Sequence, residues 1–367
     1  MLTFLFVFFV CYFRPTNSSS TKMSNLEVAV VDNATVDALI SPLMTVALPV
    51  IYITVFVIST PCNLIALVLL CGLTKRASPT VIYSINLCLS DLLYSITLPL
   101  QVVYHLRRND WIFHRMTCRI STAAFYCNMT CSILTTCAIA LERYCGVVHP
   151  LKTRHLRSTR KAILICLLIW AVMLVFQLPF FMHDFTLFIP QLNVTTCFDV
   201  FPKKVFEGWK GYLYFVSIYL LFYVLPMIIL IACYCAVAHA LRQTLDAGVQ
   251  RSHKRTQTLV IVAALCFITC YLPNMIIQPI HMVYRSKGHS IYAYYKLTLG
   301  LNSLNCCFDP FVYYLASREL RQALWRVLGW GKCCPNYMGE ETAASNLSEL
   351  PTTTRGNQND SRALISQ

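Results

Sequence analysis

Seven long apolar segments with few charged residues follow one another along the chain, and shorter polar segments separate them. Each apolar segment is about as long as, or longer than, the roughly 20 residues that an α-helix needs to cross the hydrocarbon layer of a bilayer. The pattern therefore predicts seven membrane-spanning helices, spans one to seven. Their predicted bounds are Val46 to Cys71, Thr80 to Tyr104, Cys118 to Val148, Ala162 to Met182, Tyr212 to Leu241, Thr256 to Tyr284 and Tyr292 to Leu315.

The amino-acid composition agrees with lipid as the solvent. Of the 367 residues, 57% are hydrophobic and only 13% are charged, unlike a soluble globular domain of the same length. The predicted fold is therefore an all-α integral membrane protein, a seven-transmembrane helix bundle over residues 46–316 with a short amphipathic eighth helix behind it.

The basic residues indicate which side of the membrane each loop faces. Cytoplasmic loops carry an excess of Lys and Arg, so the N-terminus is predicted to be extracellular and the C-terminus cytoplasmic. Most of the net charge of +14 then faces the anionic inner leaflet and does not indicate nucleic-acid binding. The residues that decide this follow spans one, three and five: Lys75, Arg76, Lys152, Arg154, Arg157, Arg160, Lys161, Arg242, Arg251, Lys254 and Arg255.

Segments outside the bundle complete the predicted domain organisation. Residues 1–45 form a short outer tail. Its apolar segment Met1 to Phe13 has no basic residue before it, which makes it a poor signal peptide, and is too short to span the membrane. Met23 is therefore an alternative start. Residues 317–334 place apolar residues at helical spacing with arginines between them, which predicts the eighth helix on the membrane surface. Residues 335–367 are predicted to be a disordered cytoplasmic tail open to phosphorylation.

Covalent modifications fit this topology. Most of the 19 cysteines lie within spans, where Cys behaves as a small apolar residue, but two lie on the outer side, where a disulfide can form. Two cysteines after the eighth helix fit acylation, with unmodified thiols as the alternative. The predicted sites are the disulfide partners Cys118 and Cys197, the glycosylation acceptors Asn33 and Asn193, and the palmitoylation sites Cys333 and Cys334.

Polar residues inside the spans are functional candidates by default, because lipid makes them costly. Amide, hydroxyl and carboxylate side chains recur one helical turn apart on spans three and seven, so each set forms a polar stripe on one helix face. Their oxygens could hold a small hard cation such as sodium, and a hydrogen-bonded packing network without an ion is the alternative. The candidate sodium ligands are Asp91, Asn128, Ser132, Asn305 and Asp309, and no other cofactor is expected.

Ten motifs stand in order at matching places along the spans. They are Asn63, Asn86-Leu87-x-x-x-Asp91, Trp111-Ile-Phe113, Cys118, Glu142-Arg143-Tyr144, Trp170, Pro226, Tyr234, Phe267 with Cys270-Tyr271-Leu272-Pro273, and Asp309-Pro310-x-x-Tyr313. With them the chain resembles the rhodopsin-like class of G-protein-coupled receptors over roughly Thr45 to Cys334. The resemblance implies a multi-pass receptor in the plasma membrane that activates a heterotrimeric G protein, with receptor kinases and arrestin as partners of its tail.

An arginine switch follows from the same resemblance. At rest Glu142 would hold Arg143, and on activation Arg143 would turn toward the G protein while Tyr234 and Tyr313 close in behind it. The physics agrees, because a desolvated arginine beside a carboxylate is stable only while paired. Some relatives have an acidic residue where this chain has His253, so a weaker resting state and some basal signalling are expected.

Prolines and aromatic residues complete the predicted switch. Pro273 and Pro310 are the expected pivots, because proline removes a backbone hydrogen bond within a helix. Tyr271 stands where the family has a tryptophan, so with Phe267 it would form an aromatic pocket floor that carries a hydroxyl; ordinary packing is the alternative. The predicted switch residues are Glu142, Arg143, Tyr144, Tyr234, Phe267, Tyr271, Pro273, Asp309, Pro310 and Tyr313.

Within the class the chain is most similar to the purinoceptor-like, or delta, branch. The likeness is carried by Leu98-Pro99, Phe125-Tyr126, Thr195-Thr-Cys197-Phe-Asp199, Tyr295-Lys296-Leu297 and Asp309-Pro-Phe-Val-Tyr-Tyr314. Nucleotide receptors of that branch carry a His and a basic residue in outer span six, where this chain has Met275 and Gln278. A phosphate chain needs several fixed cationic donors, so a purinergic nucleotide receptor is kept only as the alternative.

One deep cation above an aromatic floor predicts an anionic amphiphilic ligand, such as a lipidated peptide-like molecule or a lysolipid. The cation is Lys296, and its alternative role is to extend to the lipid headgroups. The candidate ligand-binding residues are Tyr104, Arg119, Phe125, Tyr126, Met129, Gln278, His281 and Lys296. The similarity also implies coupling to the G-alpha-twelve/thirteen class and control of Rho.

Other functional classes are less consistent with the sequence. A protease-activated receptor would need a long outer tail with a cleavage site, and residues 1–45 show none. A membrane transporter, the alternative from another class, would usually show paired repeats and broken helices. An intramembrane enzyme would need a nucleophile with a base or a metal cluster, and the scattered histidines form neither, so no enzymatic activity is expected.

Overall fold

The computed structural model describes residues 27–28, 31–72, 78–149, 151–153, 155, 158–182, 184–199, 213, 216–244, 250–286, 290–316, 320 and 324. Residues Met1–Leu320 form one compact unit, and of the second unit, Arg321–Gln367, Leu324 is described. In the predicted eighth helix, Leu320 and Leu324 are helical. The alternative start, the remainder of that helix, the acylation sites Cys333 and Cys334 and the predicted disordered tail lie outside the described residues.

The seven-span prediction is confirmed. Within the described residues, six helical stretches are long and apolar enough to cross a bilayer. Span seven consists of two 12-residue helices, Tyr292–Ser303 and Asn305–Ala316, joined at Leu304. Each of the two rises about 18 Å, so together they reach across the hydrocarbon layer. The helices of spans one to six are Leu48–Gly72, then Pro79–Ser95 with Leu98–Leu106, then Arg115–Val148, Thr159–Met182, Leu225–Thr244 and Gln250–Ser286.

Proline accounts for the irregular points of the spans. Span two breaks at Thr97, and Pro99 lies in the first turn of its second helix. The N–H groups of a first turn have no acceptor within the helix, so proline costs no hydrogen bond there. In span five a π-helical turn, Leu220–Val224, directly precedes Pro226. The predicted pivots Pro273 and Pro310 both lie inside helices, as do Pro61 and Pro279.

Span three packs against its neighbours through buried polar contacts. The Asn86 amide of span two donates to the Thr135 hydroxyl of span three at 2.9 Å. Its carbonyl oxygen accepts the indole N–H of Trp170, in span four, at 2.8 Å. Such interhelical hydrogen bonds fix how helices face one another in lipid, so spans two, three and four are held in one register.

Spans one and seven approach closely at a glycine. A Cβ placed on Gly300 would lie 2.7 Å from Cδ2 of Leu48, a side chain that is fully buried. Any larger residue would have to displace the Leu48 side chain, and glycine is therefore favoured at this contact.

Three short strands cover the outer end of the bundle. Strands β2 (Thr186–Ile189) and β3 (Val194–Cys197) pair as an antiparallel hairpin in the loop between spans four and five, and β1 (Glu27–Val28) adds to β2 in parallel. The disulfide between Cys118 and Cys197 ties this hairpin to the top of span three. The predicted disulfide is confirmed, whereas the sheet was not predicted.

The N-terminal helix Asn33–Ile40 also packs on the outer end, where the sequence predicted only a polar tail. Its Leu39 is buried in one cluster with Tyr52 of span one, Ile189 of β2 and Tyr292 of span seven. A π-helical turn, Leu43–Ala47, leads from there into span one. This segment therefore belongs to the packed core of the extracellular end.

Candidate functional site

At the cytoplasmic end, a threonine joins the two charged residues of the predicted switch. The guanidinium of Arg143 donates to the hydroxyl of Thr80 at 2.9 Å, and that hydroxyl donates to the carboxylate of Glu142 at 3.3 Å. Thr80 opens span two, with its helix capped by the Ser78 hydroxyl. Sequence reasoning missed Thr80, because no pattern within span two indicates that it faces Arg143 of span three.

A cavity of about 20 Å³ extends from Arg143 toward the middle of the bundle. It reaches the buried Tyr234 of span five, Phe267 of span six and the carboxylate of Asp309. The structure thus brings these predicted switch residues around one space. The side chain of Tyr313 lies outside the described residues, and the Tyr144 hydroxyl contacts His149 at 3.4 Å instead of this cavity.

The candidate sodium ligands meet in the middle of the bundle. The Asn128 amide donates to Asp91 at 2.8 Å, and the Asn305 amide donates to Ser132 at 2.7 Å and to Asp309 at 2.8 Å. The Ser132 hydroxyl lies 3.5 Å from the Asp309 carboxylate. These bonds form two sets, Asp91 with Asn128 and Asn305 with Ser132 and Asp309, and a hydrogen bond between the carboxyl groups of Asp91 and Asp309 joins them.

The two aromatic residues predicted as a pocket floor adjoin this network, and neither is among the described residues that line the outer cavity. Tyr271 is almost completely buried, its ring centroid lies 4.7 Å from that of Phe267, and its hydroxyl is hydrogen-bonded with Ser132. A tryptophan at this position would place its polar N–H elsewhere. The tyrosine hydroxyl thus couples the floor to the carboxylate of Asp309 through one intermediate residue.

An ion pair lies at the extracellular end. The ammonium of Lys296, in span seven, is 2.5 Å from the carboxylate of Asp199, which follows β3. The Lys296 side chain is 14% exposed and that of Asp199 is 0% exposed. Sequence reasoning identified Lys296 as a candidate but gave no role to Asp199, which stands two residues after the disulfide.

Two tyrosines complete the surroundings of this carboxylate. Tyr292 donates to Oδ1 of Asp199 at 2.7 Å, and Tyr104 donates a short hydrogen bond to Oδ2. Burial alone would raise the pKa of Asp199, but Lys296 above all, together with His105 and the hydrogen bonds, holds it below its usual value. Asp199 is therefore ionised at neutral pH, and the pair consists of two charges.

A cavity of about 40 Å³ lies beneath the hairpin. Of the predicted ligand residues, Phe125, Tyr126 and Lys296 line it. Two others lie near Lys296. Tyr104 donates a hydrogen bond to Asp199, the ion-pair partner of Lys296. The ring of His281 stacks on that of Tyr295, the residue before Lys296, with 5.0 Å between ring centroids. The described lining does not include Arg119, Met129 or Gln278. Its further members are Tyr52, Tyr94, Gln101, Thr122, Cys197, Phe198 and Leu299.

A buried asparagine holds the N-terminal helix over this cavity. Asn109 adopts a left-handed conformation (φ 64°), donates to the carbonyl of Leu39 at 2.6 Å, and pairs with the ring of His105 at 2.6 Å. The outer end is closed by this contact and by the hairpin. The glycosylation candidates Asn33 and Asn193 are both exposed, on the N-terminal helix and at the hairpin turn.

Comparison with known proteins gives several relatives of this arrangement. Residues 62–313 match the family described as 7 transmembrane receptor (rhodopsin family). The chain is 40% identical to the S-geranylgeranyl-glutathione receptor P2RY8 of Homo sapiens over 81% of this chain and 84% of that protein. It is 38% identical to purinoceptor 8 of Gallus gallus, with the same coverage. It is 36% identical to proteinase-activated receptor 2 of Homo sapiens over 79% of this chain and 74% of that protein.

Proposed function

The chain belongs to the rhodopsin family of seven-transmembrane receptors, and from that premise we propose that it is a receptor for an extracellular anionic amphiphile of the prenylated-peptide type. As a member of this family it is a multi-pass receptor of the plasma membrane that signals through a heterotrimeric G protein, and it is not an enzyme. The proposal adds the chemistry of the ligand and the class of G protein.

The observation that supports this ligand class is the outer cavity. Among the described residues that line it, Lys296 carries the positive charge, and Phe125, Tyr126 and Leu299 provide apolar surface. A human relative is named for S-geranylgeranyl-glutathione, a molecule with carboxylates at one end and a long prenyl chain at the other. A ligand of this type matches one cation next to aromatic side chains.

The size of the cavity implies that binding moves side chains. About 40 Å³ is room for only a few water molecules, far less than a prenyl chain requires. The ligand must therefore favour a wider arrangement of the spans that surround it. Preference for one of two arrangements is how a ligand shifts a conformational equilibrium. Deeper in the bundle, Tyr271, Ser132 and Asp309 are linked by hydrogen bonds, and Asp309 lines the same inner cavity as Arg143.

A nucleotide agonist is less consistent with the same cavity. A di- or triphosphate carries several charges and needs several cationic donors. Lys296 is already paired with Asp199, and Met275 and Gln278 supply no charge in outer span six. The named purinoceptor relative therefore does not lead us to propose nucleotide binding.

Sodium is proposed as an allosteric ligand of the carboxylate network. Two carboxylates, Asp91 and Asp309, and the hydroxyl of Ser132 are buried within one hydrogen-bonded set, and hard oxygens are the ligands that sodium prefers. The ion would need Asn128 and Asn305 to turn their amide N–H groups away from the carboxylates. Sodium would thereby hold spans two, three and seven together and oppose activation.

Coupling to the G-alpha-twelve/thirteen class and Rho is the remaining proposal, and it is supported by the likeness to the purinoceptor-like branch. Receptor kinases and arrestin are proposed to act on the cytoplasmic tail, which lies outside the described residues.

The test uses cells that lack endogenous G-alpha-twelve and G-alpha-thirteen and are supplied with one G-alpha subtype at a time. S-geranylgeranyl-glutathione should activate the wild-type receptor with G-alpha-thirteen, and Lys296→Ala should raise the effective concentration at least tenfold. Arg115→Ala, which removes a cation from a half-exposed outer pair with Asp184, is the matched control and should respond like the wild type. Equal potency at wild type and Lys296→Ala would refute the assignment of the cation.

A further inference from the structure

The Lys296–Asp199 pair makes the outer pocket poorly suited to an anion that brings no positive charge of its own. A simple anion that bound Lys296 would displace the carboxylate of Asp199, which is 0% exposed. Asp199 would then keep only the hydroxyls of Tyr104 and Tyr292. A buried charge whose counter-charge is removed is strongly destabilising, so this exchange is unfavourable.

We propose that the receptor recognises the zwitterionic α-amino acid group of its ligand by partner exchange, with the ligand's ammonium taking the place of Lys296 at Asp199 and the ligand's carboxylate taking the place of Asp199 at Lys296. This inference rests on the proposed function and specifies the head group that the site selects. No covalent bond changes, and the local charge stays balanced before and after binding.

The geometry around Asp199 suits such an exchange. Oδ1 faces the ammonium of Lys296 and the hydroxyl of Tyr292, and Oδ2 faces Tyr104. Both tyrosine hydrogen bonds can stay in place while one ammonium replaces another at Oδ1. Lys296 has a flexible stem, and its ammonium lies 5.8 Å from the ring centroid of Tyr292, so a small movement keeps it beside the same aromatic ring.

The head group of S-geranylgeranyl-glutathione carries the required pattern. Its γ-glutamyl unit has an ammonium and a carboxylate on one carbon atom, which matches two opposite charges in direct contact. The glycine carboxylate, at the other end of the tripeptide, plays no part in the exchange. The two ends therefore give matched analogues that differ in which charge is removed.

The ligand-side test compares three compounds on the wild-type receptor: S-geranylgeranyl-glutathione, its N-acetyl derivative without the ammonium, and its glycine amide. Activation of the supplied G protein is measured in cells, with surface expression of a tagged receptor as the control. We expect N-acetylation to raise the effective concentration at least about 30-fold, since Asp199 would lose its cation. Amidation of the glycine should change it less than about 3-fold.

The receptor-side test uses Asp199→Asn, which removes the charge, keeps one oxygen that accepts from one tyrosine, and presents an NH2 group that can donate to the phenol oxygen of the other. In this variant Lys296 has no buried anion, so the N-acetyl compound should become as potent as the parent or more potent. Lys296→Gln provides the second variant if surface expression of Asp199→Asn is low, and there the N-acetyl penalty should persist, because Asp199 still needs a cation.

The outcomes separate this inference from the proposed function. If S-geranylgeranyl-glutathione does not activate the wild-type receptor but activates the human relative, both the proposed function and the partner exchange are refuted. If the parent is active and the N-acetyl compound is equally potent, or if the full N-acetyl penalty persists in Asp199→Asn, only the partner exchange is overturned.

Discussion

Removal of either member of the Lys296–Asp199 pair should destabilise the receptor about as much as removal of both. At 2.5 Å and an effective dielectric constant of about 20, the attraction amounts to roughly 7 kcal/mol before desolvation. Desolvation offsets most of this, but a single buried charge still costs about 3–5 kcal/mol. We therefore expect Lys296→Met and Asp199→Asn each to lower the free energy of unfolding by about 3 kcal/mol.

The double variant measures the coupling directly. With both charges absent and the substituted asparagine hydrogen-bonded to one tyrosine through its oxygen and to the other through its NH2 group, it should lose less than the two single losses together, by about 2–4 kcal/mol. Unfolding is followed by titration of the purified receptor with a denaturing detergent in mixed micelles. Arg115→Met, in the pair with Asp184 whose side chains are 36% and 28% exposed, should cost at most about 1 kcal/mol. Additive losses from the two single substitutions, with coupling below about 0.5 kcal/mol, would refute the reasoning.

Three further predictions concern the bundle. Gly300→Ala should lower the free energy of unfolding by about 1–3 kcal/mol, because the new Cβ would meet the buried Leu48. Adding Leu48→Ala to the same chain should recover part of this loss, and no recovery would contradict the contact. Sodium titrated against potassium at constant ionic strength should lower basal nucleotide exchange in the wild type and not in Asp91→Asn, so an equal response of both would exclude this site. Glu142→Gln should raise basal signalling, measured as Rho activation without ligand. The neutral side chain no longer holds Arg143, and Thr80 remains the only described partner of Arg143. Abolished basal signalling would contradict the switch.

The membrane architecture could be predicted from the sequence because lipid imposes one simple requirement on each span. Apolar length located all seven spans, and the family motifs located the disulfide between Cys118 and Cys197, which the structure confirms. Helix bounds differ where local chemistry intervenes: span three begins at Arg115, one turn earlier than predicted, because the side chain of His114 caps its first turn. Hydropathy carries no signal for such a cap.

The extracellular end could not be predicted, because its structure depends on contacts between distant segments. The pairing of β1 with β2 joins residues about 160 positions apart, and no local pattern in a two-residue strand indicates it. From the sequence alone, Asn109 is an ordinary loop residue. Its role depends on the hydrogen bond that it donates to the carbonyl of the distant Leu39. Asp199 likewise acquires a role only when the disulfide and span seven bring Lys296 to it.

The same distinction applies to the intracellular and central parts of the site. The stripes on spans three and seven grouped Asn128 with Ser132 and Asn305 with Asp309, because helical spacing alone fixes which residues share a face, whereas the contact of Asn305 with Ser132 depends on how the two spans pack. Thr80 was missed because its partner Arg143 is on another helix. Spacing within a helix was readable, and the register between helices was not.

The most direct test of the central claim is nucleotide exchange on purified G protein by the purified receptor in lipid nanodiscs. With S-geranylgeranyl-glutathione present, the wild type should accelerate exchange on G-alpha-thirteen, and Arg143→Ala, at equal folded concentration, should reduce that acceleration at least tenfold. Absence of exchange on every G-alpha subtype by the folded wild type, or an undiminished rate for Arg143→Ala, would contradict a receptor in which Arg143 transmits the signal from the outer pocket.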